Sequence, residues 1–255
     1  MRSEAVSTCA CEVRCRGGAP SRVRRELLGR IGPNRRVSRV RRELVLSGSV
    51  TAVTEHDHYF TAEPASADER RTINVPLAGA TRTVQVAPGI FSPDRIDQGT
   101  TVLLRHAPAP PASGTFLDLG CGWGPIALTL GLESPDAEVW AVDVNERAMD
   151  LARRNAASLG LDRVHVGTAE QVPAELRFDL IWSNPPIRVG KKVLHDLMTT
   201  WLPRLSATGE AYLVVQKNLG SDSLQKWLGE QLPDLVTERF TSVRGFRILR
   251  VSRAG

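Results

Sequence analysis

At 255 residues, with 33 Lys+Arg against 28 Asp+Glu and a formal charge of +5, the chain is long enough to bury the core of one large domain, or of one domain with an appendage. It has no apolar run long enough to span a bilayer, and Met1 to Pro20 is polar and arginine-rich without a signal-peptide pattern; this excludes a membrane-embedded protein and makes the cytoplasm the expected compartment. The four cysteines, at Cys9, Cys11, Cys15 and Cys121, are too few for a disulfide framework in a chain of this size, and C-x-C-x-x-x-C lacks a fourth ligand, so no metal is expected.

The positive charge is unevenly spread. Residues 1–48 hold 12 Arg against 4 Glu, a balance of +8, which leaves 21 Lys+Arg against 24 Asp+Glu, or −3, in residues 49–255. Attraction for nucleic acid therefore has to come from this arm or from a local patch. The arm repeats SRVRREL at Ser21–Leu27 and Ser38–Leu44, each copy too short for a stable helix alone. Its composition predicts a disordered or partly helical extension. Phosphate contact with RNA is one reading of it; a dispensable extension, or a start codon placed too far upstream, is the other.

Residues 49–110 read as an entry module. SVTAV, TINVPL and RTVQVA alternate as short strands, and a small β-rich unit packed against the main sheet is expected. After a turn at Ser92-Pro93-Asp94, a helix is predicted from Asp97 with Val102, Leu103 and Leu104 buried, in a segment placed to close over a cofactor.

Residues 111–255 then alternate between strand and helix. Strands are predicted at 115–119, 137–142, 163–167, 178–183, 209–216, 235–241 and 246–252, and helices at 124–132, 146–159, 191–205 and 222–230. This order predicts an α/β doubly wound, Rossmann-like sheet of seven mostly parallel strands, with the final strand inserted antiparallel. In the helix over 146–159, Ala148, Leu151, Ala152, Asn155 and Leu159 share a stripe, and Gly160 suits the C′ position.

Two stretches carry chemistry. In FLDLGCGWG, Phe116, Leu117 and Leu119 form a buried strand that breaks into Gly120, Gly122 and Gly124, followed by Pro125 at a helix start. The spacing is G-x-G-x-G rather than the G-x-G-x-x-G of a dinucleotide site. A carboxylate at Asp118 would repel a diphosphate but suits a ligand with an ammonium and a sulfonium, such as S-adenosylmethionine (SAM). Asp143, ending the next strand in AVDVN, stands where a carboxylate takes two ribose hydroxyls. Cys121 reads as a small spacer, and His58, His106, His165 and His195 show no metal-ligand spacing.

The second stretch is FDLIWSNPPIRVGKK. Ser183-Asn184-Pro185-Pro186 leaves the carboxyl end of a strand, where open α/β sheets bind ligands. Two prolines stiffen the loop and offer carbonyl oxygens, and Asn184 adds a carboxamide acceptor. Together these groups suit both hydrogens of a planar amine, aiming its lone pair at a methyl donor. Trp182, on an alternating strand, is expected to point into the core. Arg188, Lys191 and Lys192 follow at a loop and helix start, where cations oppose the helix dipole and suit a phosphate backbone.

With these motifs in register, the chain resembles the class I SAM-dependent methyltransferases that modify nucleobase amines or glutamine amides. HYFTAEP (His58–Pro64), GIFSPDRIDQGTTVLL (Gly89–Leu104) and SNPPIRVGK (Ser183–Lys191) resemble the RsmC-like ribosomal RNA guanine-N2 methyltransferases, in their single-domain form, over residues 49–255. The resemblance implies a monomeric enzyme acting on ribosomal RNA or a ribosomal subunit. It places the cofactor on Asp118, Gly120, Gly122, Gly124, Asp143, Asn145, Thr168, Ala169 and Asn184. It places catalysis on Asn184, Pro185 and Pro186, and substrate contact on Ile187, Arg188 and Lys191. An aromatic residue often follows NPP in such families, and here the residue is Ile187. Protein glutamine methylation and a non-catalytic, SAM-binding role in RNA docking stand as the alternatives.

Overall fold

The structure is a computed structural model that describes residues 69–255, all within the unit Ala52–Gly255. The arm of residues 1–48 with its SRVRREL copies, the SVTAV strand and HYFTAEP lie outside the described residues.

Strands β1 (Arg71–Leu77) and β2 (Ala80–Val86) form an antiparallel hairpin. Helix α1 (Gln98–His106) follows, then β3 (Ser113–Leu119), α2 (Pro125–Glu133), β4 (Asp136–Val142), α3 (Glu146–Ser158) and β5 (Val164–Gly167). The chain continues through β6 (Phe178–Ser183), α4 (Lys191–Trp201), β7 (Leu205–Gln216), α5 (Ser221–Gln231), β8 (Leu235–Val243) and β9 (Phe246–Arg253). Strands β3 to β9 make one seven-stranded sheet in the order β5-β4-β3-β6-β7-β9-β8. The pairs from β5 to β7 are parallel, and β9 inserts antiparallel between β7 and β8.

Side-chain alternation sorts the two faces of this sheet. Leu117, Leu119, Ile181, Leu213 and Val215 point to one side and pack with Leu194, Met198 and Trp201 of α4 and Leu224 and Leu228 of α5. Phe116, Leu180, Trp182, Tyr212 and Val214 point to the other and pack with Val102 and Leu103 of α1 and Ile126, Ala127 and Leu130 of α2. Because both faces are covered, the central strands are mostly apolar, with Asp118 of β3 a buried exception. Trp182 is in the core, as its place on an alternating strand predicts.

The structure corrects several expectations. The hairpin does not pack on the main sheet: Val75, Leu77, Val84 and Val86 meet Trp123, Leu128, Ala148, Leu151 and Ala156 of the α2 and α3 layer. The sheet faces are already covered, so the hairpin's apolar side has helix surface to bury against. A polar clasp joins them, in which the buried Asn155 of α3 accepts from the Gln85 N–H (2.7 Å) and donates to the carbonyls of Gln85 (3.0 Å) and Trp123 (3.1 Å). Helix α4 ends at Trp201 rather than 205, since Pro203 cannot continue the ladder and a short 3₁₀ turn, Leu202–Arg204, leads into a longer β7. Leu104 is half-buried rather than buried, shared between two clusters at the edge of α1.

Candidate active site

The strand order reverses between β3 and β6, whose connections run to opposite sides and leave a crevice at their carboxyl ends. The Ser183 hydroxyl donates to the Leu119 carbonyl (2.6 Å), tying the two strand ends together just before each breaks into its loop.

The glycine loop leaves β3. Gly120 and Cys121 donate their N–H groups to the Val142 carbonyl at the end of β4 (2.9 and 3.0 Å). Gly122 has φ 55°, and a Cβ placed on it would meet nothing within 4 Å, so the loop curves around open space. Gly124, at φ 97°, lies against Ala152, and its carbonyl opens α2 with Pro125 in the first turn.

Asp118 shares the α1/α2 side of β3 with Phe116 and is wholly buried. Its Oδ2 accepts from the Ala127 N–H of α2 (2.9 Å), while its Oδ1 has no hydrogen-bond partner. Burial pushes its pKa up to about 8; the Ala127 bond opposes this and the nearby Asp143 charge adds to it.

Asp143 is half-buried at the end of β4. It accepts from Gly122 N–H at Oδ2 (2.8 Å) and from the N–H groups of Val144 (2.8 Å) and Asn145 (2.9 Å) at Oδ1. Burial raises its pKa, and these three bonds counter the rise. Asn145 caps α3 by accepting from Ala148 N–H (3.0 Å) and donates to the Gly89 carbonyl (3.1 Å). Its side chain is thus engaged in holding the 88–92 segment to this edge, together with Arg147 on the Pro88 carbonyl (2.7 Å) and the Trp123 indole N–H on the Ser92 carbonyl (3.3 Å). Thr168 starts a short 3₁₀ turn after β5 and donates its N–H to Gln171 Oε1 (2.9 Å), with Ala169 exposed beside it.

The NPP loop stands against the glycine loop: a Cβ on Gly120 would lie 4.0 Å from Pro186 Cδ. Asn184 is half-buried, and its Nδ2 donates to Asp97 Oδ2 (2.8 Å) and Thr100 Oγ1 (3.1 Å) of α1. The Pro185 carbonyl already accepts from Ile187 N–H (2.8 Å), turning the chain back so that Ile187 packs on the core. Arg188 and Lys191 are exposed and make no ion pair among the described residues, whereas Lys192 pairs with Asp196 (2.6 Å).

The structure therefore brings Asp118, Gly120, Gly122, Asp143, Asn184, Pro185 and Pro186 to one crevice. Asp97, Thr100 and Trp123 join them without having been singled out as site residues by the sequence. Asp97 is legible there as a helix start, but its contact with Asn184 spans 87 residues and leaves no local signal.

The fold and this crevice define a Rossmann-like methyltransferase, and the chain belongs to the methyltransferase small domain family, whose model matches residues 81–250. It is 33% identical over 204 residues to the ribosomal RNA small subunit methyltransferase C of Pseudomonas entomophila (strain L48), covering 77% of this chain and 58% of that one. It is 31% identical over 200 residues to the uncharacterized protein YbxB of Bacillus subtilis (strain 168), covering 77% of this chain and 98% of that one. Among solved structures, the T. thermophilus 16S rRNA N2 methyltransferase RsmC in complex with AdoMet and guanosine aligns with a TM-score of 0.64 at 24% identity, over 75% of this chain and 52% of that one. The chain thus spans little more than half the length of these two methyltransferases and nearly all of YbxB.

The family is one of methyltransferases, and the aligned RsmC structure holds AdoMet. The site has the chemistry for such a ligand: the Asp143 carboxylate stands at Gly122 beside open space, an acceptor for hydroxyls, and the buried Asp118 keeps one oxygen without a partner.

Proposed function

We propose that the protein methylates an exocyclic amine of RNA, guanine N2 in ribosomal RNA, at the NPP loop. The observation that carries this reading is the placement of Asn184, Pro185 and Pro186 at the end of β6, against the cofactor loop, with the exposed cations Arg188 and Lys191 next in the chain. Bound SAM supplies an electrophilic methyl group on a sulfonium. Asn184 Oδ1 and the second lone pair of the Pro185 carbonyl accept the two amine hydrogens, which holds the nitrogen lone pair towards the methyl carbon. A strong base is not required, because the amine loses its proton to solvent after transfer. Ile187 supplies apolar cover beside the base, and Arg188 and Lys191 contact phosphates. The relatives named ribosomal RNA small subunit methyltransferase C support ribosomal RNA as the polymer.

Transfer of labelled methyl from SAM to ribosomal subunits, naked ribosomal RNA and protein extracts tests the reading. RNase-sensitive label recovered as N2-methylguanosine is expected. Label recovered in protein would assign the NPP loop to a glutamine amide instead.

A further inference from the structure

The geometry points to Asp97 and Thr100 as positioning residues that fix the carboxamide of Asn184 in one orientation; the inference rests on the catalytic role proposed for Asn184. An ionised carboxylate is acceptor-only. Asp97 Oδ2, 2.8 Å away, can therefore face the nitrogen of the carboxamide and not its oxygen. The second N–H of the same nitrogen is taken by Thr100 Oγ1 at 3.1 Å, on a threonine that is itself buried. Both amide hydrogens are thus consumed by Asp97 and Thr100, and Oδ1 is the side-chain atom of Asn184 left to accept from a ligand.

Asp97 is itself held. Its Oδ2 caps α1 by accepting from the N–H groups of Gly99 (2.7 Å) and Thr100 (3.3 Å), and its carbonyl accepts from Thr101 N–H (2.8 Å) and Thr101 Oγ1 (2.9 Å). Between cap and carboxamide the backbone is bare: a Cβ on Gly99 would lie 3.0 Å from Asp97 Oδ2, 3.1 Å from Asn184 Oδ1 and 3.2 Å from a Phe246 ring carbon. The carboxamide and the ring occupy the room a side chain would take.

The consequence is a rule of substrate choice. A free asparagine can turn over and offer either a donor or an acceptor, whereas this one offers an acceptor alone. The site then takes targets that bring N–H hydrogens, an exocyclic amine or an amide, and leaves a carbonyl edge without a donor. The uniform orientation also keeps the reacting nitrogen in one place for transfer.

The test is a double-mutant cycle on the full chain. Asp97→Ser retains an N-cap for α1 but is too short to reach Asn184. Losing a hydrogen bond to a charged group should lower kcat for RNA methylation by about 10- to 100-fold, with SAM affinity unchanged and the chain still folded at the assay temperature. In the Asn184→Ala background the same change should cost less than about twofold, because Asp97 acts through Asn184. Equal losses in both backgrounds, or no loss in the first, would overturn the assignment. Thr100→Val, which keeps the buried shape, should show the same dependence on Asn184 at smaller size.

A second readout does not use turnover. The two side-chain amide protons of Asn184, identified by their disappearance in Asn184→Ala, should exchange slowly in the parent and rapidly in Asp97→Ser; fast exchange in the parent would equally sink the clasp. If Asn184→Ala itself methylates at the parent rate, the catalytic role of Asn184 fails, while the exchange measurement still decides the clasp.

Discussion

Asp118 shows what a single buried carboxyl does to the whole site. With one oxygen on Ala127 N–H and the other unpartnered, its pKa rises to about 8, chiefly through burial. In an unfolded chain it would titrate near the ordinary aspartate value of 3.8. Between these values the folded state keeps a proton that the unfolded state has lost, so this group makes stability fall as pH rises from about 4 to about 8. Asp118→Asn keeps an oxygen for the Ala127 N–H and removes the titration. Urea unfolding at pH 5 and pH 8.5 should therefore show the variant gaining on the parent as pH rises; parallel pH profiles would mean that Asp118 is ionised throughout. The same group, read as the partner of the cofactor's ammonium, must ionise to receive it. SAM affinity should then climb towards pH 8 in the parent and not in the variant. Asp118 is legible in the sequence because it precedes an alternation of glycines; its buried, half-satisfied state is not, because that depends on where α2 lands.

At the level of elements, the hairpin and α3 behave as one unit through Asn155. A polar residue in an otherwise apolar stripe is visible in the sequence, but its three partners belong to Gln85, 70 residues away, and to Trp123, 32 residues away. Asn155→Ala strands those buried backbone groups, at a cost of about 3 kcal/mol or more. Thermal unfolding should register that loss. Trp123 lies inside the glycine loop and its indole holds the Ser92 carbonyl, so SAM binding should weaken in the same variant. An Asn155→Ala protein with parent-like SAM affinity would separate the hairpin from the site. Element identities are largely legible because βα alternation and apolar periodicity are local properties. The end of α4 departs from expectation because apolar Leu202 and Leu205 continue the helical pattern, while Pro203 breaks the backbone beneath it.

Across the whole molecule, charge and chemistry are separated along the chain. Residues 49–255 carry −3 and residues 1–48 carry +8, so the proposed function has an acidic body meeting an acidic polymer, with the arm, Arg188 and Lys191 as the proposed sources of attraction. On the proposed function, deleting residues 1–48 should weaken RNA binding across sequences and flatten its salt dependence, with little change in turnover at saturating RNA. An unchanged salt slope would show that the arm makes no phosphate contacts. The architecture is legible because the order of elements follows from βα alternation, and the antiparallel last strand from the lack of a helix between β8 and β9. The hairpin's seat on α2 and α3 is not, since it depends on both sheet faces being already covered.

In the glycine loop, the backbone N–H groups of Gly120, Cys121 and Gly122 are each held by the protein itself, the first two on the Val142 carbonyl and the third on Asp143. A loop left to order around its ligand would forfeit roughly 1–2 kcal/mol for each residue fixed. Here that loss is met during folding rather than at the encounter. The cradle is preorganised, so the attraction between loop and cofactor goes into affinity undiminished by surrendered backbone freedom.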